Sequence, residues 1–408
     1  MTPKLRFPEF KDGSGWHGVN GNDLFDPIDR RPATPSLPIL AITQEQGAVP
    51  RDHIDYHVSV TEASIASYKE VQPGDFIISL RSFQGGIEYS RFHGICSPAY
   101  LIMKRKGDGS DDFFRHLFKS DRFIQQLTRN IEGLRDGKMI SYKQFSEQLL
   151  PTPDTAEQQK IGNCLTSLDD WIAAEGGRLE GLRAHKKGLM QQLFPRVGET
   201  LPNLRFPEFR NAGDWVCGEL SRCLKKVIDY RGKAPPKSAS GVPLITAKNV
   251  RFGWLDMTND EYIEEDKYAE WMSKGTPQAG DILFTTEAPL GHLARFPSTG
   301  TFALGQRIIT LRSRPESCLP EFLLQSLLGP RMQKEIALHS TGSTAKGIKS
   351  AVFTNISFCY PGIEEQRRIA DCLSPLDALI AAQSRKVDSL RAHRKGLMQQ
   401  LFPSPEGV

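Results

Sequence analysis

What this 408-residue chain lacks narrows its class. No stretch approaches the roughly 20 consecutive apolar residues of a membrane-spanning helix. The opening "MTPKLRFPEFKDGSG" has no apolar core of a signal peptide. A cytoplasmic protein with no membrane partner is the expectation. Cysteine is sparse, with seven residues at Cys96, Cys164, Cys217, Cys223, Cys318, Cys359 and Cys372. None form Cys-x-x-Cys, and no Cys/His group has zinc-ligand spacing. Their odd number and scatter read as buried or idle thiols of a reducing cytosol rather than a disulfide framework. His-Glu-x-x-His and a nucleophile elbow are both missing. "GSTAKGIKS" (Gly342 to Ser350) comes nearest to a phosphate loop, but Lys349 falls one residue late after Gly347. The matching stretch "GLRDGKMIS" spaces its glycines differently. Neither a metal site nor a catalytic site is expected. A formal net charge of +4 permits a nucleic-acid partner without arguing for one.

What is present is repetition. "LRAHKKGLMQQLFP" (Leu182 to Pro195) returns as "LRAHRKGLMQQLFP" (Leu390 to Pro403), with 13 of 14 letters unchanged. Extended backwards, Pro153–Pro195 aligns with Pro361–Pro403 without a gap, and 24 of 43 positions are identical. Duplication explains this better than a shared fold. A second repeat, "LRFPEF", stands at Leu5–Phe10 and Leu204–Phe209. In the middle of the chain it follows Pro195 after eight residues. Joining the end of the chain to its start gives a gap of nine, so the sequence reads as a two-fold cycle cut at one junction, with neighbouring termini.

The regions between the repeats share only a skeleton. "GDFIISLRSFQG" (Gly74 to Gly85) matches "GDILFTTEAPLG" (Gly280 to Gly291), and "LPILAIT" resembles "VPLITAK". Each reads as an apolar strand ended by polar or glycine residues. "FFRHLFKSDRFIQQLTRNI" and "LPEFLLQSLLGPRMQKEIAL" are helical by period.

The duplicated arms carry a heptad seam. In the first it is Ile161, Leu165, Leu168, Ile172, Leu179, Leu182, Leu189 and Leu193. In the second it is Ile369, Leu373, Leu376, Ile380, Val387, Leu390, Leu397 and Leu401. Polar residues interrupt it at matching places, Glu175 and Lys186 against Gln383 and Arg394. A helix of about forty residues is a rod of ~60 Å, and each seam leucine left wet forfeits roughly 1.5–3 kcal/mol. The stripe therefore needs a partner. The two-fold cycle favours the other arm, antiparallel, with the polar seam positions fixing register. Packing of each arm on its own globular domain is the alternative. Antiparallel pairing keeps Cys164 more than ~20 Å from Cys372, so no disulfide is expected there.

Two variable domains alternating with near-identical arms, each arm opening Pro-x-x-x-Glu-Gln and closing "KGLMQQLF", resemble the specificity subunit of type I restriction–modification systems. The second domain adds "DYRGKAPPKSASGVPLITAKNVRFG" and "GDILFTTEAPLG". The resemblance spans essentially the whole chain. It implies an α+β architecture of two mixed α/β target-recognition domains, separated by two long helices in an antiparallel coiled coil with pseudo-two-fold cyclic repeat. The expected division is 1–152 (first recognition domain), 153–195 (central arm), 196–360 (second recognition domain), 361–403 (C-terminal arm) and 404–408 (tail). It also implies that each domain reads half of a bipartite, asymmetric double-stranded DNA target. Two modification subunits would dock on the arms, and restriction/translocase subunits would join them. S-adenosylmethionine, ATP and Mg would belong to those partners, with no cofactor in this chain. The absence here of an Asn/Asp-Pro-Pro-aromatic motif agrees.

Phosphate contacts need Lys or Arg, and base edges favour Arg, Lys, Asn and Gln. For the first domain the candidates are Arg30, Arg31, Arg81, Arg135 and Lys138. For the second they are Arg231, Lys233, Lys237, Lys248, Asn249, Arg251, Lys346 and Lys349. Lys186, Lys187, Arg394 and Lys395 lie on the arms and suit helix pairing or partner docking. A coiled-coil scaffold without a DNA role is the competing class. Near-constant arms beside diverged domains argue against it. Recurrence of the exposed letters His185, Gln191 and Gln192 at His393, Gln399 and Gln400 suggests one docking face used twice, or else recent duplication.

Overall fold

A computed structural model describes residues 2–32, 36–54, 65–78, 87–129, 141–230, 234–258, 261–343 and 346–403. The chain forms two compact units. The first comprises residues 1–175 and 386–408, the second residues 176–385. Both mix helix and sheet. No helix among the described residues is long and apolar enough to cross a membrane.

In the first unit an antiparallel four-stranded sheet runs in the order Phe25–Ile28, Leu101–Arg105, Asp75–Ile78, Glu88–Tyr89. Its apolar face meets the helices Asp111–Leu117 and Asp121–Arg129 over a phenylalanine core. There Phe25 packs edge-on against Phe76, Phe114 and Phe145 at 5.2–5.6 Å between ring centroids. In the second unit the corresponding sheet runs Leu224–Asp229, Ile308–Ser313, Ile282–Thr285, Leu293–Arg295. It is covered by Pro320–Leu328 and Pro330–Leu338. Each helical stretch expected from period is thus two helices. Pro330 has no N–H to continue the first helix, and the Ser120 hydroxyl caps Phe123 N–H at 3.3 Å.

The arms are the 39-residue helices Thr155–Leu193 and Ile363–Leu401. All sixteen seam residues are buried or half-buried. In the first unit Ile161 and Leu165 share a core with Met398, Leu401 and Phe402. In the second, Ile369 and Leu373 share one with Met190, Leu193 and Phe194. Each unit therefore packs the opening turns of one long helix against the closing turns of the other. Trp16 and Phe113, or Trp215 and Phe322, belong to the same cores, so the arm ends pack on the globular domain as well.

The two basic seam positions pair with acids. Arg394 binds Asp169 in the first unit, and Lys186 binds Asp377 in the second. These four residues are related by the same 208-residue offset as the repeat. Lys386 adds a bond to Glu175 at 2.5 Å.

"LRFPEF" and "Pro-x-x-x-Glu-Gln" turn out to be halves of one clasp. Arg6 donates to Glu157 at 2.8 and 2.7 Å, and Arg205 to Glu365 at 2.9 and 2.5 Å. The carboxylates hold both guanidinium pKa values above the ordinary one. Gln158 and Gln366 donate to the carbonyls of Pro153 and Pro361 at 2.9 and 2.8 Å. Lys160 lies over the Phe7 ring and Arg368 over Phe206. The backbone repeats the pattern too. Leu5 N–H bonds Gln400 C=O at 2.9 Å, as Leu204 N–H bonds Gln192 C=O at 3.0 Å. The N-terminal segment thus meets the end of the second arm.

One cysteine expectation is corrected. Val216–Glu219 pairs antiparallel with Ser357–Tyr360, which sets Cys217 directly opposite Cys359 with Cα atoms 4.1 Å apart, and the two form a disulfide. Adjacent strands bring together residues that lie 142 positions apart in sequence. Cys96, Cys164, Cys223, Cys318 and Cys372 are free thiols.

His116 gives the first unit a pH dependence. It is 1% exposed. Its Nε2 accepts from Arg115 at 3.1 Å, which leaves the proton on Nδ1, 3.9 Å from the Asp169 carboxylate. Burial, then the charges of Arg115, Arg394 and Arg91, push its pKa down to about 2. Below about pH 6.5 the unfolded chain takes up a proton that the folded one refuses. This stability is fully present above that pH and falls as pH drops. Between pH 7 and pH 5 the loss is about 2 kcal/mol. Urea unfolding at both pH values checks it, and His116→Asn removes this component.

Candidate nucleic-acid interface

Three segments of the second unit meet at the tip of the hairpin made by Ile282–Thr285 and Leu293–Arg295. The tip itself is 286–292. On one side lies 246–256, "TAKNVRFGWLD", anchored by Gly253 N–H to Leu293 C=O at 2.8 Å and by His292 Nδ1 against Val250 C=O at 3.2 Å. The third comprises 341–343 and 346–349, anchored by Ile348 N–H to Thr286 C=O at 2.9 Å and by a bridge between Glu287 and Gly347.

The 246–256 segment is built from its own polar residues. Asn249 Oδ1 accepts from Thr246 N–H and Oγ1 at 2.8 and 3.0 Å, and Asn249 Nδ2 donates to Asp256 C=O at 2.8 Å. A bridge joins Val250 to Leu255, and Arg251 N–H bonds Trp254 C=O at 2.9 Å. Gly253, at φ +93°, supplies the left-handed turn residue that a side chain resists. The outcome is a rigid, short hairpin with exposed side chains at its tip.

Its charges are exposed. Lys248 and Lys237 share Glu261 at 3.6 and 2.9 Å, and Arg251 reaches Asp256 at 3.2 Å. Lys237 is the largest cause of the low Glu261 pKa, whereas hydrogen bonds from Thr258 dominate for Asp256. Arg307 pairs with Glu287 at 3.2 Å, and Lys346 and Lys349 are exposed on the third segment. The Arg307–Glu287 pair is solvent-exposed on both sides, and such pairs contribute only about 0–1 kcal/mol, whereas the Glu261 and Asp256 carboxylates are 16% and 17% exposed and only their cationic partners face solvent.

Several sequence candidates sit elsewhere. Asn249 is 1% exposed and organises the loop from within; a buried amide with these bonds offers no contact surface. Arg30 turns inward to the buried Asp75. The Gly-Asp motif explains this, since Asp75 and Asp281 each close a turn, accepting from Gln72 N–H at 2.7 Å and Gln278 N–H at 2.8 Å. Each also takes an arginine, Arg30 for Asp75 and Arg312 for Asp281. Desolvation holds the Asp75 carboxyl above its ordinary pKa. Arg31 is exposed and donates to Ser67 C=O at 2.6 Å. Arg81, Arg135, Lys138, Arg231 and Lys233 lie outside the described residues. Sequence reasoning missed Arg307, and also Phe252, Trp254 and Met257, whose apolar letters look like core. The glycine inside "RFGW" is the one signal of a tight turn.

A second surface recurs in both units. A cavity of about 530 Å³ beside Met190, Gln191 and Phe194 in the second unit also touches Arg331. One of about 530 Å³ beside Met398, Gln399 and Phe402 in the first also touches Arg122. The Met, Gln and Phe of each belong to the duplicated "KGLMQQLF". His185, Gln191, Gln192, His393, Gln399 and Gln400 are all exposed.

Residues 222–391 match the type I restriction modification DNA specificity domain. The chain is similar to the type I restriction enzyme MjaVIII specificity subunit of Methanocaldococcus jannaschii, with 25% identity over 326 residues, 76% of this chain and 73% of that protein. The solved type I restriction–modification S subunit of M. genitalium matches over 99% of this chain and 100% of its own, at 15% identity and a TM-score of 0.64. A solved chain from work on complex assembly and conformational transition of the type I R-M system covers 98% and 99%, at 19% identity and a TM-score of 0.51. The structural likenesses carry the mixed α+β fold.

Proposed function

The chain belongs to the specificity subunits of type I restriction–modification systems, and from that premise we propose that it reads a bipartite, asymmetric DNA target, one half-site per unit. It is a non-catalytic subunit. In the second unit the reading surface is the three-segment cluster, with Lys237, Lys248, Arg251, Arg307, Lys346 and Lys349 meeting phosphates or base edges. In the first unit Arg31 serves, together with Arg81, Arg135 and Lys138.

The two long helices act as an antiparallel coiled coil. It holds the spacing between half-sites, near one helical turn of about 34–36 Å if both readers approach one face of the duplex. The twice-used "KGLMQQLF" surface docks two modification subunits, which bring S-adenosylmethionine. Restriction subunits joining that complex bring ATP and Mg.

One observation carries this reading. The clasp and the seam pairs are matched residue by residue between the units (Arg6–Glu157 with Arg205–Glu365, Arg394–Asp169 with Lys186–Asp377), while the sequences between the repeats share only a skeleton. A constant frame with diverged domains suits one kind of partner and two different targets. Exchange of residues 210–358 for the matching segment of another such subunit tests it. Methylome sequencing then shows one half of the target changed and the other half and spacer kept. Change in both halves, or in neither, counts against the division of labour.

A further inference from the structure

Resting on that DNA-reading function, we propose that the Arg251–Met257 turn is an apolar wedge that enters the base stack of the second half-site. Phe252 is 51% exposed, Trp254 52% and Met257 43%. Three large apolar side chains within six residues form an exposed patch of the kind that marks an interaction site. The patch is held stiffly. The bonds of Arg251 to Trp254 and of Gly253 to Leu293 fix the backbone, and Phe252 rests edge-on against His292 at 6.1 Å. A stiff tip loses little freedom on insertion.

The surroundings identify the occupant. Lys248 and Arg251 flank the wedge on its own segment, paired with Glu261 and Asp256, and Arg307, paired with Glu287, Lys346 and Lys349 stand on segments bonded to the same hairpin tip. An apolar point beside exposed cations fits a polyanion with stacked apolar bases. Proteins that part base steps use such side chains, with neighbouring Lys or Arg on the backbone. Pyrimidine–purine steps part most readily, so the second half-site contains one where the wedge enters. The turn at the matching place in the first unit, between Leu40–Thr43 and Gly47–Pro50, instead exposes Gln44, Glu45 and Gln46. The unstacking is expected at the second half-site.

The experiment uses the full chain with its modification subunits and a duplex selected by that complex from a randomised pool. 2-Aminopurine is placed in turn at each position of both half-sites. Apart from the base that each modification subunit turns out of the stack for methylation, the wild-type complex raises its fluorescence several-fold at one step of the second half-site and at none of the first. In the double variant Phe252→Ala/Trp254→Ala the signal falls to that of free duplex, while the salt slope of binding stays unchanged. Phe252→Leu/Trp254→Phe keeps the signal. An unchanged signal in the alanine variant overturns the wedge, as does loss of the modification subunits from it, which would make the patch a protein-docking face. Failure of the wild-type complex to select any sequence overturns the DNA-reading function itself, a separate result.

Discussion

Replacing Glu157 by alanine lowers the stability of the first unit by about 3–5 kcal/mol. The carboxylate is wholly buried and Arg6 is 7% exposed. Without Glu157 the guanidinium keeps its bonds to Gly13 and Ser14 carbonyls, but its charge stays buried without a hydrogen-bonded counter-ion, and only the Asp154 charge still acts on it. Repacking cannot hydrate it unless the Leu5–Phe10 segment leaves the helix. The same loss should come from Arg6→Ala, and the double variant should lose less than the sum, because the pair is coupled. Glu365→Ala acts on the second unit through Arg205. Hydrogen exchange with peptide resolution, taken through a urea series, assigns each transition to its unit. Equal loss in both units, or loss below about 1 kcal/mol, would show that the clasp is ornamental.

Joint replacement of Lys248, Arg251, Lys346 and Lys349 by alanine reduces the salt dependence of DNA binding. Each phosphate contact contributes about 0.9 to the slope of log affinity against log salt. Four contacts therefore remove about 3–4 from it, and affinity falls most at low salt. The variant should fold normally, since all four side chains are exposed, Glu261 keeps its bond to Lys237, and Asp256 keeps its bonds from Thr258. Fluorescence anisotropy with one duplex at several salt concentrations measures the slope. An unchanged slope would move the interface away from this hairpin tip.

Much of the frame was legible in the sequence, because it depends on local period and on repetition. The 3.5-residue spacing from Ile161 to Leu193 names a buried stripe, and the duplicate from Ile369 to Leu401 names its equal. Matching polar interruptions at Lys186 and Arg394 marked register positions before their acids were known.

What could not be read was long-range pairing. "LRFPEF" and "Glu-Gln" are separate motifs until folding brings Arg6 to Glu157, 151 residues away. Cys217 and Cys359 look unrelated until two strands set them opposite. The reading residues fared worst, since one letter serves either purpose. Asn249 and Lys248 are adjacent and equally polar, yet one holds the loop together and the other faces solvent. Phe252 and Trp254 have the letters of a core and the exposure of a contact surface.

On the proposed function, one chain reads two unlike half-sites across a fixed gap. Selection of bound duplexes from a randomised pool, using the full chain with its modification subunits, is the decisive measurement. Two short, different motifs separated by a non-specific spacer of constant length are expected. A single continuous or palindromic motif, or two motifs with a freely varying spacer, would contradict that function.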